Sequence, residues 1–368
     1  MNVLILSCNT GGGHNSCAKA IASELQARGH SCAVDDALQF VSKGTSRFVS
    51  NWHVRFYRYF PKLYNKGYQY AEEHPASFDD SSAAYRILRR GCNRLRASIR
   101  AGGYDAVICV HLFPALMLTA IQKQSPLPIR TVFVATDYTA SPSCDRIDLD
   151  YCVIPDASLT DTFVRCGVRR ETIVPCGIPI RQELYSSLPM DEAKRAAGID
   201  PAHRHLFVMT GSMGCGPMEE IAELLAMRLP LSYDVSIACS SNRKLIRRLQ
   251  RQFEDHPNIH IRGYISDMSA MLDSTDLFLT KPGGISTTEA MVKGVPMVLV
   301  NVVGGCETPN LAFFVSHGGA VTADTPQELA ALCDQLLRSD ERREQMRHAL
   351  AGMHKEPAAA AICDLLEG

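Results

Sequence analysis

Residues 280–310 read TKPGGISTTEAMVKGVPMVLVNVVGGCETPN. The apolar run Asp276 to Thr280, DLFLT, leads into this stretch, so Lys281-Pro282-Gly283-Gly284 stands where a strand hands over to a helix. Glycines at such a turn let backbone N–H groups approach an anion, and the helix N-terminus adds partial positive charge. A diphosphate is the natural guest. Ser286 and Glu289 have the Ser-x-x-Glu spacing, which is equally the signature of a capping box that binds nothing. The next apolar run, VPMVLVN, ends in Gly-Gly-Cys-Glu-Thr-Pro-Asn, where Thr308 is expected to cap a helix and Pro309 to open it.

Working outward, the same pattern recurs. Short apolar runs alternate with helix-length amphipathic segments, as in parallel strands joined by crossover helices. Strands are expected at Val3–Leu6, Ser31–Val34, Ala106–Val110, Thr131–Ala135 and Tyr151–Ile154, then at HLFVMTG, DVSIACS, NIHIRGY, DLFLT and VPMVLVN. Between the two series, PCGIPIRQELYSSLP breaks helical periodicity and places a hinge near Ile178–Pro189. The expectation is an α/β protein with two Rossmann-like domains, residues 1–180 and 181–368, whose strand ends face each other across a cleft, with the C-terminal helix free to pack back on the first domain. GSMGCGP, with Gly211, Gly214 and Gly216, adds another glycine-rich turn to the second domain.

Composition limits the options. In 368 residues, 38 Lys and Arg balance 39 Asp and Glu, so no overall field points to nucleic acid, and a basic function must be local. The 14 cysteines form no Cys-x-x-Cys pair and sit mostly in apolar runs, reading as buried hydrophobes of a reducing compartment. The opening MNVLILSCNTGGGH reads as a strand and not as a leader. No apolar run reaches the ~20 residues a membrane-spanning helix needs, so any membrane contact is expected to be peripheral. Asp148-Leu149-Asp150 leads straight into a strand, so its carboxylates read as turn residues and no metal is expected.

In the first domain NVLILS is followed by Asn9-Thr10-Gly11-Gly12-Gly13-His14 and a helix from about Asn15 to Arg28. A dinucleotide fingerprint would need glycine at Ser16, although Asp35 lies at a tempting distance for a ribose carboxylate. His14 is either a solvated loop residue or a group in a site. His111 and Asp137 also end strands at this rim; a buried structural role for His111 stays open.

Arg47 to Tyr70 contains nine aromatics, among them Trp52 and Tyr57, interleaved with five Arg and Lys and no acid. That mixture suits a lipid headgroup interface, core packing or RNA, with the membrane favoured. Arg86, Arg90 and Arg94 recur every four residues on a helix. They form either a solvated face or an extension of a cationic membrane surface.

TGGGHNSCAKAI, TDY, GYISDMSAMLDSTDLFLTKPGGISTTEA and GVPMVLVNVVGGCETPNLAFF together resemble the processive diacylglycerol glycosyltransferases and plant-type monogalactosyldiacylglycerol synthases. The lipid II GlcNAc transferase is a more distant relative. The resemblance spans nearly the whole chain and implies a GT-B fold and transfer of a hexose from a UDP-sugar to a diacylglycerol-type lipid, giving a β-glycolipid. UDP-GlcNAc transfer to a polyprenyl-linked precursor and non-transferring UDP-sugar epimerisation are the alternatives. It implies that Glu289 binds ribose, that Gly283, Gly284, Ser286 and Thr287 hold the diphosphate, and that the backbone at Gly263 and Tyr264 holds uracil. Gly211 and Ser212 would join the donor site, and Glu307 and Asn310 would lie near its sugar. Cys306 departs from the Gln found in many members, so the hexose does not carry over. On the acceptor side the resemblance turns His14 toward the cleft, with Gly12, Gly13, His111, Trp52 and Tyr57 around the lipid. Inverting transfer needs a base at the acceptor hydroxyl; His14 is assigned to it, and Asp137 orients or replaces it. No cofactor is implied. The expected partners are a UDP-sugar, a lipid acceptor and an anionic membrane surface, without nucleic acid, on the cytoplasmic face of the cell membrane.

Overall fold

The computed structural model describes residues 1–9, 12–42, 44, 82–209, 218–300, 305–353 and 356–368. Two compact units emerge: unit 1, Met1–Gln182 with Val303–Cys306 and Glu356–Gly368, and unit 2, Glu183–Val302 with Glu307–Lys355.

Unit 1 is built on β1 (Asn2–Ser7), β2 (Ser31–Asp36), β3 (Ala106–Cys109), β4 (Arg130–Val134), β5 (Tyr151–Val153) and β6 (Ile173–Val174). These six strands form one sheet in the order β2-β1-β3-β4-β5-β6, and every pairing is parallel. Val3 to Leu6 and Ala106 to Cys109 are fully buried because helices cover both faces, which is why they read as unbroken apolar runs. The C-terminal Ala358–Glu367 helix packs on the Gly12–Ala27 helix of this unit. Arg28 pairs with Asp364 at 2.6 Å and Glu367 at 3.0 Å. The Arg130 guanidinium reaches the carbonyl of Leu366.

Unit 2 repeats the plan with β7 (Arg204–Met209), β8 (Tyr233–Ala238), β9 (Ile259–Arg262), β10 (Leu277–Thr280), β11 (Met297–Leu299) and β12 (Ala320–Thr322). Its order is β12-β11-β10-β7-β8-β9, again all parallel. The two strands not expected from sequence, β6 and β12, are edge strands of two and three residues, too short to show a periodicity.

Each sheet has one place where the chain reverses its direction of winding. In unit 1 the chain goes from β1 out to β2, then returns to lay β3 on the other side of β1. In unit 2 it goes from β7 to β8 and β9, then returns to lay β10 beside β7. Crevices outside the carboxyl ends of the strands at such switch points are where open α/β sheets take their ligands.

Candidate active site

At the unit 1 switch point, β1 runs out at Ser7 and the Gly12–Ala27 helix begins at Gly12 and Gly13, three residues earlier than expected, so that His14 falls in its first turn. Register places Leu6 beside Cys109 and Cys109 beside Phe133, so the residues after β1, β3 and β4 meet at one rim. There the His14 Nδ1 lies 2.8 Å from the carbonyl oxygen of Val110 and 3.1 Å from the Thr136 hydroxyl. A carbonyl only accepts, so Nδ1 carries the ring proton of a neutral imidazole, and Nε2 is the nitrogen that takes up a proton. Among the described residues nothing is hydrogen-bonded to Nε2. Burial pushes His14 below the ordinary 6.5, against the opposing pull of the Asp137 carboxylate and the Val110 carbonyl. The ring is therefore neutral at physiological pH, the form a general base requires.

The surrounding scaffold is polar and closed on itself. Ser7 donates to Asn15 at 2.7 Å, Asn15 donates to Asn9 at 2.8 Å, and Asn9 donates to Asp36 at 3.0 Å. This chain ties the ends of β1 and β2 to the first turn that carries His14. Asp36, and not the exposed Asp35, is the carboxylate turned into it. His111 stands edge-on to His14 with ring centroids 4.6 Å apart. It caps the Leu112–Gln124 helix, its Nδ1 accepting from the Phe113 amide at 3.0 Å. Asp150 accepts from the Thr131 amide and hydroxyl at 2.8 and 2.7 Å, and Asp148 pairs with Arg169 at 3.0 Å, so both carboxylates serve the turn before β5.

At the unit 2 switch point Thr280 fastens β10 to β7 through a 2.7 Å bond to the Met209 carbonyl. Gly283 then folds back on Lys281, amide to carbonyl, at 2.8 Å. Gly283 is the N-cap of the Gly284–Lys293 helix and makes no side-chain cap. Ser286 and Glu289 lie inside that helix, so the capping-box reading is excluded. Thr287 is the first residue whose amide has a helical acceptor, Gly283 O at 3.1 Å, so the amides of Gly284, Ile285 and Ser286 form the open first turn. The Thr287 hydroxyl, expected on the diphosphate, instead donates to Gly283 O at 3.0 Å and is fully buried; it shapes the turn from behind.

Asn310, fully buried, donates from Nδ2 to the Pro282 carbonyl at 2.9 Å and fixes the same turn from the side. Its helix begins at Glu307, so Thr308 and Pro309 sit inside the first turn and not at its cap; proline is tolerated there because first-turn amides have no helical partner. Glu307 is buried and forms an ion pair with Lys281. Sequence reasoning assigned Lys281 nothing, yet the pair places an ammonium beside the open turn: a Cβ on Gly283 would lie 4.0 Å from Lys281 Nζ. Glu289 is buried on the same helix. Gly263 follows β9 and Tyr264 stands 79% exposed at that rim. Gly211 and Ser212, together with Trp52, Tyr57 and the rest of Arg47 to Tyr70, lie outside the described residues. Among the described residues no group of three or more His, Cys, Asp or Glu is placed to hold a metal ion, and no helix is long and apolar enough to cross a membrane.

Residues 14–180 match the family "Monogalactosyldiacylglycerol (MGDG) synthase" and residues 235–351 match "Glycosyl transferases group 1". The first part of the chain is thus similar to the monogalactosyldiacylglycerol synthases and the second to the group 1 glycosyl transferases. A processive diacylglycerol β-glucosyltransferase of Bacillus pumilus is 25% identical, with 98% of this chain and 93% of the relative aligned. MurG of Acinetobacter baumannii superposes with a TM-score of 0.64 at 16% identity, covering 100% of this chain and 99% of MurG. A UDP-GlcNAc 2-epimerase of Neisseria meningitidis superposes equally well, 0.64 at 12% identity with both chains covered to 100%. At such identities the two structures speak for the fold alone, and that fold is GT-B.

Proposed function

We propose that this chain is an inverting glycosyltransferase that moves a hexose from a UDP-sugar to diacylglycerol or a glycosylated diacylglycerol, leaving a β-glycolipid and UDP. The observation that carries the reading is His14, a neutral imidazole with its Nδ1 proton committed to a backbone carbonyl, at the switch point of the unit matching the lipid galactosyltransferases. A full-length relative named as a processive diacylglycerol β-glucosyltransferase supports the same acceptor.

In this reading the acceptor hydroxyl attacks the anomeric carbon and gives its proton to His14 Nε2. The bond from the anomeric carbon to the diphosphate oxygen breaks, and its electron pair leaves with UDP. The growing charge meets the amides of Gly284, Ile285 and Ser286, the partial positive end of their helix, and the Lys281 ammonium. These replace a divalent ion, and no cofactor is required. Glu289 holds the ribose, the backbone at Gly263 and Tyr264 the uracil, and Glu307 the sugar, while Asp137 favours the imidazolium formed during transfer. The finer placement is peripheral, on the cytoplasmic face of an anionic membrane. The exposed Arg86, Arg89, Arg90 and Arg94 of the Ala83–Gly102 helix support it.

The test is to incubate purified protein with mixed lipid acceptors and a panel of UDP-sugars, then analyse the lipids by mass spectrometry. A hexosyl-diacylglycerol formed in step with UDP is expected. Isomerised sugar released without acceptor, or transfer confined to a polyprenyl diphosphate acceptor, would contradict the proposal.

A further inference from the structure

The Arg243–Gln252 helix of unit 2, RKLIRRLQRQ, contains five cations and no acid in a chain whose charges otherwise balance. Leu245 and Leu249 bury one side against the sheet. At 100° per residue Arg243, Arg247, Arg251 and Lys244 fall on the opposite side, and all four are exposed. Arg248, on the flank, is held by Glu219, and Gln252 by Glu223, both on the neighbouring Met218–Arg228 helix. Among the described residues no carboxylate pairs with the other four.

The helix that supplies those two acids carries a second anomaly. Met227 follows Glu223 by one turn on the same face and is 75% exposed; Leu231, just past the helix end, is 65% exposed. Large apolar side chains this open, on and just past the helix that neighbours a face of unpaired cations, match the two halves of a lipid interface. Cations meet anionic headgroups while apolar groups enter the acyl boundary. A nucleic-acid backbone would use the charges and leave Met227 and Leu231 in water.

We propose that the Arg243, Lys244, Arg247 and Arg251 face, with Met227 and Leu231 beside it, is a docking surface of unit 2 for an anionic phospholipid membrane. It is a separate contact from the aromatic and arginine-rich segments of unit 1, and none of its residues belongs to the donor or acceptor machinery.

The test is flotation with vesicles of phosphatidylcholine containing or lacking phosphatidylglycerol, using the full chain and two variants. Replacing the four cations together by Gln should weaken binding to the anionic vesicles about hundredfold to thousandfold and flatten its salt dependence. Met227→Ser with Leu231→Ser should weaken it a few-fold and leave the salt dependence in place. Both variants should turn over a detergent-dispersed acceptor at the wild-type rate, which separates this surface from the glycosyl-transfer reading. Binding to the anionic vesicles at wild-type strength by the Gln variant, or a wild-type chain that ignores anionic lipid, would each overturn the proposal.

Discussion

The two switch points share a topology and differ in what they present. In unit 1 the crevice holds side-chain chemistry, an imidazole fixed by a carbonyl 96 residues away in sequence. In unit 2 it holds backbone chemistry, three first-turn amides reinforced by an ammonium whose partner is 26 residues along. A proton acceptor must be one atom with a tuned pKa, whereas the charge of a leaving diphosphate is best met by several fixed dipoles. A second histidine makes the contrast sharper. His205 on β7 satisfies both ring nitrogens, Nδ1 at the Ser274 carbonyl and Nε2 at the Ser236 hydroxyl, 3.1 and 2.9 Å away. His14 uses only one of its two. The same residue type is structural in one unit and, in the proposed reaction, catalytic in the other.

The largest effect that would break this comparison is on turnover. His14→Ala should lower it by about 10²- to 10⁴-fold, the range a positioned general base contributes. Near-normal transfer by that variant would return His14 to the structural class of His205.

The next effect falls on stability. Burial pushes His205 down to about 4, from an ordinary value of 6.5. Both folded and unfolded states are neutral above 6.5; below it the unfolded chain binds a proton that the folded chain refuses, so stability falls until pH reaches about 4. That one group removes about 3 kcal/mol over the window. Urea unfolding of His205→Gln should show a correspondingly shallower acid slope than the wild type, and equal slopes would contradict the assignment.

Third in size is the donor side. Lys281→Met should weaken UDP binding about 10- to 100-fold, the worth of a charge-assisted hydrogen bond to a phosphate. It leaves Glu307 buried without its cation, so the single variant should also melt below the Lys281→Met/Glu307→Gln pair. Calorimetric titration and thermal melts check the two halves separately. The smallest effect is a displaced pH limb. Since burial lowers the His14 pKa, the acidic limb of kcat/KM should have its midpoint below pH 6.5; a midpoint at or above 6.5 would count against it.

Much of this was readable before any coordinates. Strands buried on both faces leave continuous apolar runs, so ten of the twelve were visible, and the KPGG turn was marked by its glycines. The remaining features depend on contacts that no local pattern encodes. The tautomer of His14 is set by Val110, the first turn of Gly284–Lys293 is shaped by Asn310, and Lys281 is held by Glu307. The capping box, one of the two readings that the Ser286 and Glu289 spacing left open, fails because the helix begins at Gly284, two residues before Ser286, which the preceding Gly283 permits without a capping side chain. The cationic helix of unit 2 escaped notice because its charges cancel in the whole-chain sum.

The most direct test of the central claim, that base and donor chemistry are divided between the two switch points, is a paired measurement of UDP affinity and turnover in His14→Ala. The division predicts a UDP dissociation constant within about twofold of wild type while transfer is lost to the extent general-base removal allows. UDP affinity falling in step with turnover would contradict it.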